Sequence, residues 1–183
     1  MKTYIALLRG INVSGQKIIE MKILRNVLLE LDLKNIRTYI QSGNILFESK
    51  IDDIQFLENQ ITDKIQKHFA FEVPLTIVTP NELKMVVSKN PFIDQITEDA
   101  SQPYVAFLSK SPNPTALETL NSIDFGKDQF INIDKTLYLF YAISAGKTKL
   151  TNSLIESKLQ LKATTRNWKT IHKLIELTEE YTL

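Results

Sequence analysis

Residues alternate in type before a Ser42-Gly43-Asn44 turn, with Ile36, Thr38 and Ile40 against Arg37, Tyr39 and Gln41, and after the turn the chain runs on as Ile45-Leu46-Phe47. This alternation predicts a β-hairpin, because glycine accepts the positive φ that tight hairpin turns need. Helical spacing of apolar residues precedes the hairpin over residues 20–32 and follows it up to Phe69. Apolar runs at 4–8 and 73–78 predict one strand outside each helix. The order strand, helix, hairpin, helix, strand is the split βαβ arrangement of ferredoxin-like domains.

The second half of the chain shows a similar order of patterns. A capping box with proline at the first helical position, Thr79-Pro80-Asn81-Glu82, opens a helix that ends near Asn90. Beyond it the patterns predict strands at 104–108, 130–133 and 137–143, and helices at 114–120, 149–159 and 168–177. We therefore predict an α+β fold of two ferredoxin-like halves, residues 1–80 and 81–183, with mostly antiparallel sheets and helices packed on them. The halves share no evident sequence repeat, which leaves a structural duplication open.

The amino-acid composition is typical of a globular protein and restricts the cellular compartments in which the chain is expected. The 183 residues are 43% apolar and 23% charged, and they include no cysteine. Disulfides and thiolate zinc sites are therefore excluded, and a reducing compartment is the simplest expectation. No apolar run approaches the roughly 20 residues that span a bilayer. The N-terminal run is too short for a secretion signal, since Arg9 ends it. We expect a cytoplasmic protein that does not enter a membrane.

The net charge of +1 conceals two basic ends and an acidic middle. Residues 1–25 hold five Lys/Arg and one acid, and residues 147–173 hold seven Lys/Arg and one acid. Residues 90–134 hold seven acids and two lysines. If the two ends meet in the fold, they form a positive surface that attracts anions.

The loop Gly10-Ile-Asn-Val-Ser-Gly15-Gln16-Lys17 resembles a P-loop at the right place, between a strand and a helix. However, Gln16 separates the second glycine from the lysine, and Ile18 replaces the hydroxyl that binds magnesium. Nucleoside triphosphate hydrolysis of the P-loop type is therefore rejected. A weaker anion site before a helix N-terminus remains, with polar groups from Arg9, Asn12, Ser14 and Lys17. The alternative is a tight connection whose basic residues are only solvated.

Two further segments of the basic C-terminal part carry candidate side chains. Gly146-Lys147-Thr148 mimics the end of a P-loop, but Tyr141 stands where its first glycine belongs. Helix entry is the plain role of that segment, although it places Lys147 and Lys149 beside a helix start. In Ala163-Thr-Thr-Arg-Asn-Trp-Lys169, Thr165 or Asn167 caps the last helix and Trp168 fills the core under the structural interpretation. That interpretation leaves Arg166 unexplained, and a guanidinium beside threonine hydroxyls suits phosphate or carboxylate.

Other chemistries find little support in the sequence. His68 and His172 have no histidine or cysteine nearby, so no metal and no cofactor are predicted. A serine hydrolase elbow, G-x-S-x-G, is absent. Tyr39 and Phe47 lack the basic and glycine-led aromatic pattern of an RNA-recognition sheet. Core or sheet packing is expected for Phe47, and Tyr39 is left open.

Five blocks along the chain carry a family resemblance. In order, they are Tyr4-Ile-Ala-Leu-Leu-Arg-Gly-Ile-Asn-Val13, Arg37-Thr-Tyr-Ile-Gln-Ser-Gly-Asn44, Asn90-Pro-Phe92, Lys149-Leu-Thr-Asn152 and Ala163-Thr-Thr-Arg-Asn-Trp168. Together they resemble the bacterial domain of unknown function 1697, over nearly the whole chain. Ser14 stands where that family usually has glycine. The resemblance implies a two-part α+β protein with ferredoxin-like halves, and it implies no activity, cofactor or catalytic residue.

These observations lead to one site hypothesis and two alternatives. We predict a basic polar site between the halves that binds a phosphorylated or other anionic ligand, with a nucleotide or nucleic acid included. Its predicted residues are Arg9, Asn12, Lys17, Gln41, Ser42, Asn44, Lys147, Lys149, Thr164, Arg166 and Asn167. The first alternative is an enzyme that acts on a phosphorylated substrate there. The second is a protein interaction module that uses the acidic middle segment; the identity of a protein partner is unknown.

Overall fold

A computed structural model of the protein describes residues 1–13, 15–96 and 103–180. It divides into two compact units, Met1–Lys84 with Leu174–Leu183, and Met85–Lys173. The predicted division placed the whole C-terminus in the second half. In the structure the end of the last helix belongs to the first unit, where Lys84 contacts Glu179 (3.3 Å) and Arg37 contacts Glu180 (2.6 Å).

The first unit has the predicted ferredoxin-like topology. Its elements are β1 (Lys2–Leu8), α1 (Met21–Leu28), β2 (Lys34–Tyr39), β3 (Asn44–Ser49), α2 (Ile54–Phe69) and β4 (Leu75–Val78). The strands form one sheet in the order β2-β3-β1-β4, and every neighbouring pair is antiparallel. The Asp53 carboxylate starts α2 by accepting a hydrogen bond from the N–H of Phe56 (3.0 Å), as its place before the helix predicts.

The second unit repeats this topology. After α3 (Pro80–Ser88), which spans the division, the elements are a 3-10 turn (Ile93–Gln95), β5 (Pro103–Leu108), α4 (Pro114–Asn121), β6 (Gln129–Ile133), β7 (Thr136–Phe140), α5 (Asn152–Leu159), β8 (Ala163–Asn167) and α6 (Trp168–Glu179). The sheet order is β6-β7-β5-β8, again with antiparallel pairs. The predicted capping box of α3 is confirmed, since Glu82 accepts from Thr79 N–H (2.7 Å) and donates from its own N–H to the Thr79 hydroxyl (3.2 Å).

Each sheet packs one face against its helices. In the first unit this core contains Tyr4, Phe47 and the stripes of α1 and α2, with the Tyr4 and Phe47 rings stacked at 5.7 Å. In the second unit it contains Ala106, Leu137 and Leu139 together with the α5 residues Ile155 and Leu159. The prediction that Phe47 packs in the core is confirmed.

β8 is the strand that the sequence patterns did not predict. Its residues Ala163–Asn167 include four polar side chains, yet they pair with β5 from Tyr104 to Leu108. Two β-branched threonines favour extended backbone, and β5 supplies the hydrogen-bonding edge that short-range pattern cannot reveal. From the sequence, this polar segment is interpreted only as the approach to the last helix.

The two units share individual backbone hydrogen bonds as well as topology. Leu8 N–H donates to Gly43 O and Leu108 N–H donates to Lys135 O, both at 2.8 Å. Arg9 N–H donates to Pro74 O (2.8 Å), and Ser109 N–H donates to Lys162 O (3.0 Å). The same connections therefore close the same end of both sheets, so the duplication that the sequence left open exists in the structure.

A glutamate of the preceding helix covers the edge of the fourth strand in each unit. Glu58 of α2 accepts from Ile77 N–H (2.8 Å), and Glu156 of α5 accepts from Ala163 N–H (2.7 Å). Both N–H groups lie on edge strands, where an uncovered donor invites pairing with another chain.

Glu58→Ala should destabilise the first unit by about 1–3 kcal/mol, because a partly buried N–H loses its charged acceptor. Amide hydrogen exchange at Ile77 should accelerate, and Glu58→Gln, which keeps an acceptor oxygen, should restore most of the protection. Unchanged exchange at Ile77 in Glu58→Ala would show that the carboxylate does not cover this edge.

Candidate functional site

Three connections meet at one end of the sheet in the first unit. They are residues 9–20 between β1 and α1, residues 40–43 between β2 and β3, and residues 72–74 before β4; we call them the apical loops. The backbone bonds of Leu8 to Gly43 and of Arg9 to Pro74 bring them together. Six of the predicted site residues lie in or beside them: Arg9, Asn12, Lys17, Gln41, Ser42 and Asn44. Ser14, also named in the anion-site prediction, lies outside the described residues.

The side chain of Asn12 joins two of the apical loops. Its Oδ1 accepts from Ile19 N–H (2.8 Å), and its Nδ2 donates to Ile19 O (3.0 Å) and Gln41 O (2.8 Å). Asn12 has a φ of +54°, a conformation that asparagine tolerates better than most residues. These three bonds use the amide for positioning, so Asn12 sets the shape of the loops rather than offering its side chain to a ligand.

Ile11 and Gly43 pack beneath that connection. Ile11 is buried, and a Cβ on Gly43 would lie 2.6 Å from Ile11 Cδ1 and 2.8 Å from Leu8 Cβ. The φ of Gly43 is +77°, so glycine meets both the conformational and the steric requirement of this turn. Ile11 therefore anchors the β1–α1 loop against the hairpin turn.

Cationic and polar side chains surround this anchored framework. Lys17 Nζ donates to Glu72 O at 2.6 Å, which ties the third apical loop to the first. Within the ranges that the structure describes, no carboxylate lies within ion-pair distance of Lys17. Arg9 is partly exposed, and Gln41 and Ser42 are exposed. These four residues can contact a ligand from solvent.

Asn44 has a different role from its predicted one. It is fully buried at the start of β3, and its Nδ2 donates to Tyr39 O (2.9 Å) and Ser42 Oγ (3.3 Å). The amide therefore closes the hairpin turn from inside. Like Asn12, Asn44 uses its amide to shape the loops, and its burial keeps it from a ligand in solvent.

Thr164 and Arg166 lie buried on one face of the sheet in the second unit. Along β8 they alternate with Ala163, which belongs to the core under the helices, so they point to the opposite face. Arg166 Nη1 donates to Thr165 O (2.9 Å), and burial lowers the pKa of Arg166 to about 10. Tyr138, across β5 on the same face, donates to Val86 O (3.1 Å), and burial raises its pKa to about 12. Thr164, Arg166 and Tyr138 are therefore all buried on this face.

The remaining predicted residues of the second unit are not on that face. Asn167 Oδ1 accepts from Thr170 N–H (2.7 Å) and so caps α6, while Trp168 is buried, as the structural interpretation predicted. Lys147 and Lys149 are exposed in the loop 141–151. In the same loop the hydroxyl of Thr148 donates a hydrogen bond to the Asp128 carboxylate. That loop leads into α5, which packs on the helix-covered face. The second unit thus separates Thr164 and Arg166 from the two lysines.

Because the two units share one topology, their connections can be compared in length. The connection after the first strand covers residues 9–20 in the first unit, and only 109–113 in the second. The connection after the third strand covers 141–151 in the second unit, and only 50–53 in the first. Because the sheets are alike, the longer connections mark what was added to a common scaffold. The Asn12 amide ties the 9–20 connection to the hairpin turn, and the Asp128 carboxylate ties the 141–151 connection to the segment before β6.

Two classes of site find no support in the described part of the chain. None of its His, Asp and Glu residues form a group of three or more that could hold a metal ion. No helix there has the length and hydrophobicity to cross a bilayer.

Comparison with known proteins identifies a family and a fold. Residues 1–138 match the family described as "Protein of unknown function (DUF1697)". A solved structure described as that of the conserved bacterial protein SP0830 from Streptococcus pneumoniae superposes with a TM-score of 0.73. The alignment covers 98% of this chain and 99% of that one, at 22% sequence identity. No curated protein matches the chain.

Gly43→Ala should lower the free energy of unfolding by about 2–4 kcal/mol, because the added methyl overlaps Ile11 and Leu8 and the φ is unfavourable for alanine. Gly10→Ala is the matched control. Gly10 also has a positive φ (+71°), but nothing lies within 4 Å of its Cβ position, so only about 1 kcal/mol should be lost. Urea unfolding measures both variants, and equal losses would contradict the close approach of Ile11.

Proposed function

The chain belongs to the DUF1697 family, and we propose that it binds a phosphorylated or otherwise anionic ligand at the apical loops of its first unit. Lys17 and Arg9 supply positive charge, and Gln41 and Ser42 supply hydrogen bonds. The observation that carries the proposal is the Asn12 amide, which fixes the 9–20 connection to the hairpin turn and so holds these side chains on one framework.

Pre-organisation is the reason that this arrangement favours binding. A long polar connection costs conformational entropy when a ligand orders it, and that cost lowers affinity. Here the Asn12 bonds, the burial of Ile11 and the bond from Lys17 to Glu72 order the apical loops without a ligand. Left-handed residues at Gly10, Asn12, Gly15 and Lys17 also favour the concave turns in which backbone N–H groups bind anions.

The joint site predicted from both basic ends stays a prediction, and so do the two alternative functions. The acidic middle segment already engages some of its carboxylates locally: Asp124 accepts from Gly126 N–H (2.8 Å), and Asp128 accepts from Ala142 N–H (2.8 Å). Glu98 and Asp99 lie outside the described residues. We also propose a cytoplasmic location, because a chain without cysteine suits a reducing compartment.

Thermal unfolding against inorganic phosphate, nucleotides, sugar phosphates, polyphosphate and a short oligonucleotide tests the proposal. A ligand present at about 100 times its dissociation constant adds roughly 2.7 kcal/mol, which is a shift of roughly 5–10 °C for a chain of this size. Lys17→Ala should abolish the shift. The matched control is Lys50→Ala. Lys50 is exposed and directly follows Ser49, which pairs with Lys2 at the opposite end of the same sheet.

A panel without any shift contradicts the proposal. A shift that survives Lys17→Ala but disappears in Lys147→Ala or Lys149→Ala places the anion site in the second unit instead. The salt dependence separates ligand classes, because a polyanion that neutralises several cations loses affinity steeply with salt and a small ligand does not.

A further inference from the structure

Three aliphatic side chains stand exposed on the apical loops. The exposed fractions are 60% for Val13, 62% for Ile18 and 46% for Ile40. Single exposed apolar residues are ordinary on protein surfaces. These three are unusual because they belong to two separate connections that one side chain ties together.

The Asn12 amide joins the chain segments that carry Ile18 and Ile40. It bonds to Ile19 and to Gln41, the residues that directly follow them. Consecutive Cα atoms are 3.8 Å apart, so the Cα atoms of Ile18 and Ile40 both lie within about 10 Å of the Asn12 amide. Lys17 precedes Ile18, so the same connection carries a cation next in sequence to an exposed aliphatic residue.

Ile40 keeps its side chain there in an unfavourable conformation. Its φ is +50°, and β-branched residues rarely adopt the left-handed region. Asparagine or glycine would suit this turn better, and almost half of the Ile40 side chain faces solvent, so burial in the core does not offset the strain. Strain of this kind concentrates where binding requires a particular side chain.

We propose that the ligand of the apical loops is amphiphilic, with an anionic group that Lys17 and Arg9 contact and a small apolar group that covers Val13, Ile18 and Ile40. This inference rests on the proposed anion site and specifies its ligand class. The cations favour the charged end, and water released from the three aliphatic side chains favours the apolar end. Neither an inorganic anion nor a bare sugar phosphate would use both parts of the surface.

Calorimetric titration of the full chain with a homologous series tests the inference. The probes are inorganic phosphate, ethyl phosphate, butyl phosphate and hexyl phosphate, with hexyltrimethylammonium as an apolar probe of opposite charge. The dissociation constant should fall about two- to fourfold for each methylene that the site covers. Hexyltrimethylammonium should not bind.

Two substitutions separate the apolar contact from the anion contact. Ile18→Ser and Ile40→Asn should each weaken hexyl phosphate at least fivefold and change the affinity for inorganic phosphate less than twofold. Ile40→Asn should also raise the unfolding midpoint, because asparagine relieves the left-handed strain. If Ile40 had only a structural role, Ile40→Asn would not raise the unfolding midpoint while weakening the binding of hexyl phosphate. The matched control is Ile131→Ser, since Ile131 is 41% exposed on β6 of the second unit.

The outcomes distinguish this inference from the proposed function. Equal affinity for phosphate and hexyl phosphate, still dependent on Lys17, overturns the amphiphilic ligand and leaves the anion site intact. Absence of binding for the whole series overturns both. Binding to vesicles of phosphatidic acid without binding of monomeric hexyl phosphate overturns the small ligand and assigns the surface to a lipid bilayer.

Discussion

The hydrogen bonds of one amide, that of Asn12, organise the candidate site. A connection as long as residues 9–20 carries many backbone N–H and C=O groups, and those near the core need partners. Asn12 satisfies both polar groups of Ile19 and the carbonyl of Gln41. Because those bonds hold the connection on the hairpin turn, Ile11 can be buried against Gly43 and the neighbouring cations occupy fixed positions. Without the amide, the 9–20 connection would keep only the Ile11 packing and the Lys17–Glu72 bond between its ends.

The duplicated architecture gives this arrangement its context. Both units close the same end of their sheet with equivalent backbone bonds, and both cover the fourth strand with a helix glutamate. These shared features belong to the stability of the fold. Each unit fixes its longer connection with a different side chain, Asn12 in the first unit and Asp128 in the second. Function in such folds resides in what is added to the scaffold.

The fold could be predicted from local pattern wherever that pattern decides the structure. Alternation around Gly43 and the Thr79–Glu82 capping box depend on neighbours in sequence, and both are found as predicted. β8 was missed because its polar residues are buried through long-range pairing with β5. For the site, the sequence could predict which polar and charged residues lie in the loops, but not which of them face solvent. Nothing in the sequence distinguishes Asn12 and Asn44, which bond inward, from Gln41, which faces solvent, because that depends on which carbonyls lie within 3 Å. The periodicity of apolar residues does not predict the exposure of Ile18 and Ile40 either.

The central claim is that the apical loops are a pre-organised ligand site. Amide chemical-shift mapping during titration with hexyl phosphate tests this claim most directly. Saturable shift changes are expected at residues 9–20 and 40–43 in the wild-type chain. The amides of Ile19 and the other bonded groups are expected to be protected before any ligand is added. Shift changes centred on residues 141–151, or amides of the 9–20 connection that exchange freely in the absence of ligand, would contradict it.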